Sequence, residues 1–128
     1  MSSYPEDLKY LDTHEYIKLE GEIATIGITE FAVRELGDIV FVELPSVGNQ
    51  IDKGEQFGTV ESVKAVGALY SPLNGTVIES NTTLEDSPEI LSDDPYGNGW
   101  LIKVKIADSS ELDDALSVEQ YQSLVEGH

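Results

Sequence analysis

Gln56-Phe57-Gly58-Thr59-Val60-Glu61-Ser62-Val63-Lys64-Ala65-Val66-Gly67-Ala68-Leu69-Tyr70 is the stretch that decides the fold. It reads as a strand from Gln56 to Ser62, a turn topped by Lys64, and a second strand running back from Val66 to Tyr70. A lysine at the tip of a β-hairpin, with the carboxylate of Glu61 just before it, suits covalent attachment of a cofactor. Its amine stands clear of the sheet, and small or β-branched neighbours do not crowd an approaching enzyme. Exposed turn lysines are common, so the tip alone decides little. Ser71-Pro72 and Asn74-Gly75-Thr76-Val77 follow, and Asn-Gly between two hydrophobic runs predicts a further hairpin, with a strand over Gly75 to Ser80.

Upstream, residues 16–44 are mostly strand, broken by a turn at Glu20-Gly21-Glu22. Thr29 is placed to cap a short helix from Glu30 to Leu36, with Phe31, Ala32 and Leu36 for the core, and Gly37 to end it. Ile39-Val40-Phe41-Val42 reads as a buried strand stopped by Pro45, and Ile51-Asp52-Lys53-Gly54 as a turn. Residues 81–95 are acidic and turn-rich. Trp100-Leu101-Ile102-Lys103-Val104-Lys105-Ile106 alternates at its end, as a strand with one wet face does. Ser110 and Ser117, followed three residues later by Asp113 and Gln120, start two short helices packed through Leu112, Leu116, Tyr121 and Leu124. Gly58-Thr59-Val60-Glu61-Ser62 is echoed by Gly75-Thr76-Val77-Ile78-Glu79-Ser80, as two similar β units would produce.

The 128 residues suffice for one domain, with a core over about 16–106 and a helical segment over about 108–126. No apolar run approaches the ~20 residues that span a bilayer. The segment Met1-Ser2-Ser3-Tyr4-Pro5-Glu6-Asp7 carries neither a secretory nor a transit pattern. The expected setting is a bacterial cytoplasm or, for a chain already cleaved of a presequence, an organelle. Without cysteine, the protein has no disulfide, thiolate metal site or cysteine nucleophile. With 25 acidic residues against 7 basic, the formal charge is −18. Nucleic acid and anionic membranes, which need a basic surface, are therefore excluded as partners. No phosphate loop, nucleotide fingerprint, nucleophile elbow or metal-ligand spacing is present.

The motifs taken together resemble a known family, the lipoyl-carrying H-protein of the glycine cleavage system. Thr13-His14-Glu15-Tyr16, Ala24-Thr25-Ile26-Gly27-Ile28-Thr29, Leu36-Gly37-Asp38-Ile39-Val40-Phe41-Val42-Glu43-Leu44-Pro45, the hairpin around Lys64 and Tyr96-Gly97-Asn98-Gly99-Trp100-Leu101 match it in order along the chain. The resemblance implies a mainly β barrel-sandwich hybrid of the lipoyl/biotinyl type with short appended helices. It also implies lipoic acid in amide linkage to Lys64. A lysine amine is almost wholly protonated at neutral pH, so a lipoyl ligase or octanoyltransferase must select Lys64 from six lysines. In the family such an enzyme reads the presented hairpin with help from an acid and glycines, here Glu61, Gly48 and Gly75.

The family further implies a cleft for the arm, with Thr13, His14, Glu15 and Glu35 as its polar candidates and Glu15 placed to bind the aminomethyl nitrogen. Many members carry an acid where this chain has Ala68, and some have histidine at the place of Glu35. Trp100 reads as core or docking surface. The expected function is that of a non-catalytic carrier. It takes the aminomethyl group from pyridoxal-phosphate-dependent glycine decarboxylase to a tetrahydrofolate-dependent aminomethyltransferase, then presents dihydrolipoyl to dihydrolipoyl dehydrogenase. The rivals are a relay that donates lipoyl or octanoyl groups to other proteins, and an unloaded regulatory subunit of the decarboxylase. A biotin carrier would flank its lysine with methionines, whereas Val63 and Ala65 do so here.

Overall fold

A computed structural model describes residues 7–106 and 108–126; residues 1–6, read above for a targeting pattern, lie outside them. Two antiparallel sheets share one core. The larger has the order β1 (Lys9–Tyr10), β2 (Glu15–Glu20), β3 (Ile23–Ile28), β9 (Ile102–Ile106), β8 (Gly75–Ser80), β5 (Gln50–Ile51). The smaller is β4 (Ile39–Glu43), β6 (Gln56–Ser62), β7 (Val66–Tyr70). Alternation sends Val42, Val60 and Leu69 of the smaller sheet and Ile26, Val77 and Val104 of the larger into that core. No helix among the described residues is long and apolar enough to cross a membrane.

The first helix, α1 (Glu30–Leu36), forms where its caps predict. The Thr29 hydroxyl accepts from the Ala32 N–H, and Gly37 takes a φ of 86° while its N–H donates to the Val33 carbonyl. Its buried residue is Val33 rather than the three expected, which are only partly buried. Near the C-terminus, α4 (Val118–Glu126) starts with the expected box. Gln120 N–H donates to the Ser117 hydroxyl at 3.2 Å, and the Gln120 side-chain oxygen accepts from Ser117 N–H at 2.9 Å. The segment before it is a 3₁₀ turn, Ser109–Leu112, capped by Asp108 and not by Ser110.

Three expectations are corrected. The run from Ile39 to Val42 is not buried throughout: its register shifts between Ile39 and Phe41, leaving Val40 52% and Phe41 44% exposed. Residues 81–95 contain two short helices, α2 (Thr83–Asp86) and α3 (Glu89–Asp93), held by the fully buried Leu84 and Leu91. Asn74-Gly75 turns no hairpin. Residues 71–74 carry the chain from the smaller sheet to the larger, and Gly75 pairs with Ile51 and Ile106. Glycine is required there by contact: a Cβ would overlap Val104 Cγ1 and stand 2.6 Å from the Lys105 carbonyl oxygen.

A second apolar cluster lies under α4. The Tyr10 and Tyr121 rings stack at 4.7 Å and 11°, with Leu8, Tyr16 and Val118 beside them. Tyr10 also exchanges both backbone hydrogen bonds with Leu116, at 2.9 and 2.6 Å. The C-terminal segment is thereby fixed to the strand that precedes the loop carrying Thr13 and His14.

Candidate functional site

β6 and β7 form the hairpin expected around Lys64, with registers running from Gln56–Tyr70 to Glu61–Val66. Ser62 N–H donates to the Ala65 carbonyl at 2.8 Å. The return bond comes from a side chain: Ala65 N–H donates to the Ser62 hydroxyl oxygen at 3.0 Å. The favoured two-residue hairpin turns need positive φ, yet neither Val63 nor Lys64 has one. The Ser62 hydroxyl closes the turn instead, so L-residues with full side chains can occupy the tip.

The tip is also anchored sideways. Val63 N–H donates to the Asp38 carbonyl at 3.0 Å. The stem of Lys64 crosses Gly37, where an added Cβ would stand 3.4 Å from Lys64 Cε. Gly37 both ends α1 and offers a bare surface to the lysine's methylenes. Lys64 itself is exposed.

Leu36, next to Gly37, lines a cleft of ≈ 200 Å³. α1 contributes Ala32, Glu35 and Leu36, while β6 and β7 contribute Val60, Gly67, Ala68 and Leu69. Thr13, His14 and Glu15 supply its polar end. Glu15 is 0% exposed. One of its oxygens accepts from the Tyr70 N–H at 2.9 Å, and the other accepts from the Thr13 hydroxyl. Burial pushes its pKa up from 4.5 to about 7; the Thr13 and Tyr70 hydrogen bonds oppose that rise, and nearby Asp12 adds to it. The cleft therefore ends in a carboxyl whose burial favours the neutral form and whose charged form would meet a cation as an anion.

His14 has a φ of 76°, the one positive value among described non-glycine residues. Its N–H donates to the Leu11 carbonyl at 3.0 Å, and its carbonyl accepts from Thr29 N–H at 2.9 Å. Its Nδ1 lies 2.7 Å from the Tyr121 hydroxyl, and its ring sits 4.8 Å from that of Phe31. Thr13 and Glu35 are exposed at the rim. Among the described residues no group of three or more His, Cys, Asp or Glu could hold a metal ion.

The four cleft candidates named from the sequence thus lie on one cavity, with Ala68 in its wall. Glu61 stands on the hairpin, paired with Phe41 and Val66. Gly48 and Gly75 lie away from it: Gly48, at φ 95°, donates its N–H to the Val77 carbonyl of the larger sheet at 2.8 Å, and Gly75 is within β8. Trp100 is half-buried, with Lys103 Nζ 5.1 Å from its ring centroid. Sequence reasoning missed Ser62, the Tyr70 N–H and Tyr121. A serine one residue before the turn was the sole readable signal among these, since Tyr121 meets His14 from 107 positions away.

Comparison with known proteins finds similarity along nearly the whole chain. The family model described as glycine cleavage H-protein matches residues 8–128. The glycine cleavage system H protein of Cyanothece sp. is 64% identical over 124 residues, covering 97% of this chain and 96% of that protein. Its counterpart in Nostoc punctiforme is 60% identical over the same shares of both chains. The crystal structure of a glycine cleavage system H protein from Mycobacterium marinum superposes with a TM-score of 0.86 at 36% identity, covering 98% of this chain and 100% of that one. With a family match over nearly every residue and relatives this similar end to end, the chain belongs to the glycine cleavage H-protein family.

Proposed function

We propose that this chain is the lipoyl carrier of a glycine cleavage system, bearing its arm on Lys64 and catalysing no step itself. The observation that carries the reading is the placement of Lys64. Its stem lies on Gly37, one residue from Leu36 in a cleft whose polar end is the buried Glu15. The residues suit an acyl arm that ends in a cation. Leu36, Val60 and Leu69 give apolar walls, while Gly67 and Ala68 keep one side low. A cleft of ≈ 200 Å³ is smaller than a drug-sized pocket and takes the end of a tethered chain.

Lipoate supplies a disulfide that accepts the aminomethyl group of glycine. The protein's residues do the rest by holding and releasing. Lys64 provides the amide, and Glu61 offers the ligase or octanoyltransferase a carboxylate three residues before it. Glu15, once ionised, gives the amine of the cargo a charge-assisted hydrogen bond away from bulk water. Tethering turns each encounter into an intramolecular one, with effective concentrations in the mM range. The partners are glycine decarboxylase, the aminomethyltransferase and dihydrolipoyl dehydrogenase.

The test is glycine–bicarbonate exchange by a glycine decarboxylase, with and without the enzymatically lipoylated protein. Stimulation that requires both lipoylation and Lys64 supports the carrier. A protein shown by mass spectrometry to be lipoylated, yet without effect on exchange, would sink this reading and point to a lipoyl relay.

A further inference from the structure

The hydroxyl of Tyr121 stands 2.7 Å from His14 Nδ1 and 2.7 Å from Thr29 Oγ1. Tyr121 is fully buried, as is Thr29. These two partners are neighbours on two segments that each lead into the cleft lining. His14 lines the cleft from the β1–β2 loop, and Thr29 is the N-cap of α1, whose Ala32, Glu35 and Leu36 also line it. The same two residues are joined through the backbone, where Thr29 N–H donates to the His14 carbonyl. A left-handed backbone at a non-glycine residue is disfavoured and persists only where its surroundings over-determine it. At His14 those surroundings are two backbone hydrogen bonds and the Tyr121 hydroxyl.

We infer that Tyr121 is a positioning residue: from the C-terminal helix, its hydroxyl clasps the His14 loop to the start of α1, two segments that lead into the arm cleft, and sets how firmly the cleft holds its cargo. A consistent assignment has Thr29 donating to the tyrosine oxygen and the tyrosine donating to His14 Nδ1, with the imidazole proton on Nε2. The ring needs no hydroxyl to stay in place, because it stacks on Tyr10. The clasp is thus separable from the packing. This inference rests on the carrier reading only for the identity of the cargo.

The test is Tyr121→Phe, first in the unlipoylated protein by amide hydrogen exchange. Exchange at His14 and Thr29 should quicken between about twofold and about tenfold, the factor one neutral hydrogen bond is worth. Amides of Ile26 and Val60 in the sheets should hold their rates. Leu124→Ala is the control, since it loosens α4 packing but leaves the hydroxyl bridge. If Leu124→Ala quickens His14 and Thr29 as much as Tyr121→Phe does, or if Tyr121→Phe quickens every amide alike, the clasp is refuted.

In the lipoylated, loaded protein, Tyr121→Phe should shorten the lifetime of the bound aminomethyl group by a similar factor. An unchanged lifetime alongside quickened amides would also overturn the inference, because the clasp would then not govern retention. A wild-type protein that fails to support exchange with the decarboxylase would refute the carrier reading instead, leaving the amide result to stand on its own. Should Tyr121→Phe not fold, His14→Asn removes the other end of the bridge. Asparagine tolerates the left-handed backbone, and the same outcomes decide.

Discussion

Replacing Glu15 with glutamine should flatten one segment of the pH–stability curve. Glu15 is buried, with a pKa pushed from 4.5 to about 7. Because the folded value is the higher one, the native state binds the proton more tightly than the unfolded chain. The resulting stabilisation is complete below about pH 4.5 and is lost as pH rises through about 7. A displacement of that size is worth about 3 kcal/mol. Glutamine mimics the protonated acid: its oxygen accepts from Tyr70 N–H, and its amide donates to the Thr13 hydroxyl, which turns to receive it. Urea unfolding of both proteins between pH 4.5 and 8.5 measures the effect, and the difference between them cancels the titration of the other carboxylates. The wild type should lose about 3 kcal/mol more than Glu15→Gln across that interval, so the variant becomes the more stable of the two at pH 8.5 relative to pH 4.5. Two parallel curves would refute the reasoning, since they would mean that Glu15 is hydrated and titrates as an ordinary carboxyl.

Four further substitutions test the hairpin and the two glycines that lie away from it. Lys64→Arg should abolish lipoylation by mass spectrometry and all stimulation of exchange, while stability in urea stays within about 0.5 kcal/mol, because an exposed side chain is being exchanged. Gly75→Ala should cost about 2–3 kcal/mol through overlap with Val104 and the Lys105 carbonyl. Gly48→Ala, with nothing within 4 Å and only its φ of 95° to offend, should cost about 1 kcal/mol; equal losses in urea would contradict this split. Ser62→Ala removes the acceptor for Ala65 N–H and should cost about 1 kcal/mol. It should also speed hydrogen exchange at Ala65 while leaving β6 at Val60 protected.

What the sequence disclosed and what it hid divide along a physical line. Local chemistry was readable: Thr29 and Gly37 bracket α1, Ser117 and Gln120 start α4, and Lys64 tops its turn, because each depends on residues within four positions. Signals whose meaning depends on the partner strand misled. Val40 and Phe41 have the composition of a buried strand, but a shift of register against β6 turns them outward. Asn74-Gly75 looks like a hairpin until the next strand is found in the other sheet, where glycine answers to Val104. α2 and α3 are too short for a helical period to show, and only the burial of Leu84 and Leu91 reveals why they form. In the site, the family motif gathered Thr13, His14, Glu15 and Glu35 without their geometry. The depth of Glu15 and the contact of Tyr121 come from chain segments 55 and 107 residues away.

The side-chain closure of the Lys64 turn has a mechanical consequence. With Ser62 bonded across the loop, Val63 held to Asp38 and the lysine stem laid on Gly37, the hairpin tip offers a fixed axle to the arm proposed for Lys64. An arm attached there would travel only through the methylenes beyond it, and its cargo would sweep a cap of space whose radius is the arm's length and whose centre does not wander. An enzyme served by this carrier has to bring its own reacting centre inside that radius. Timing of delivery is accordingly a matter of how each client seats against the hairpin.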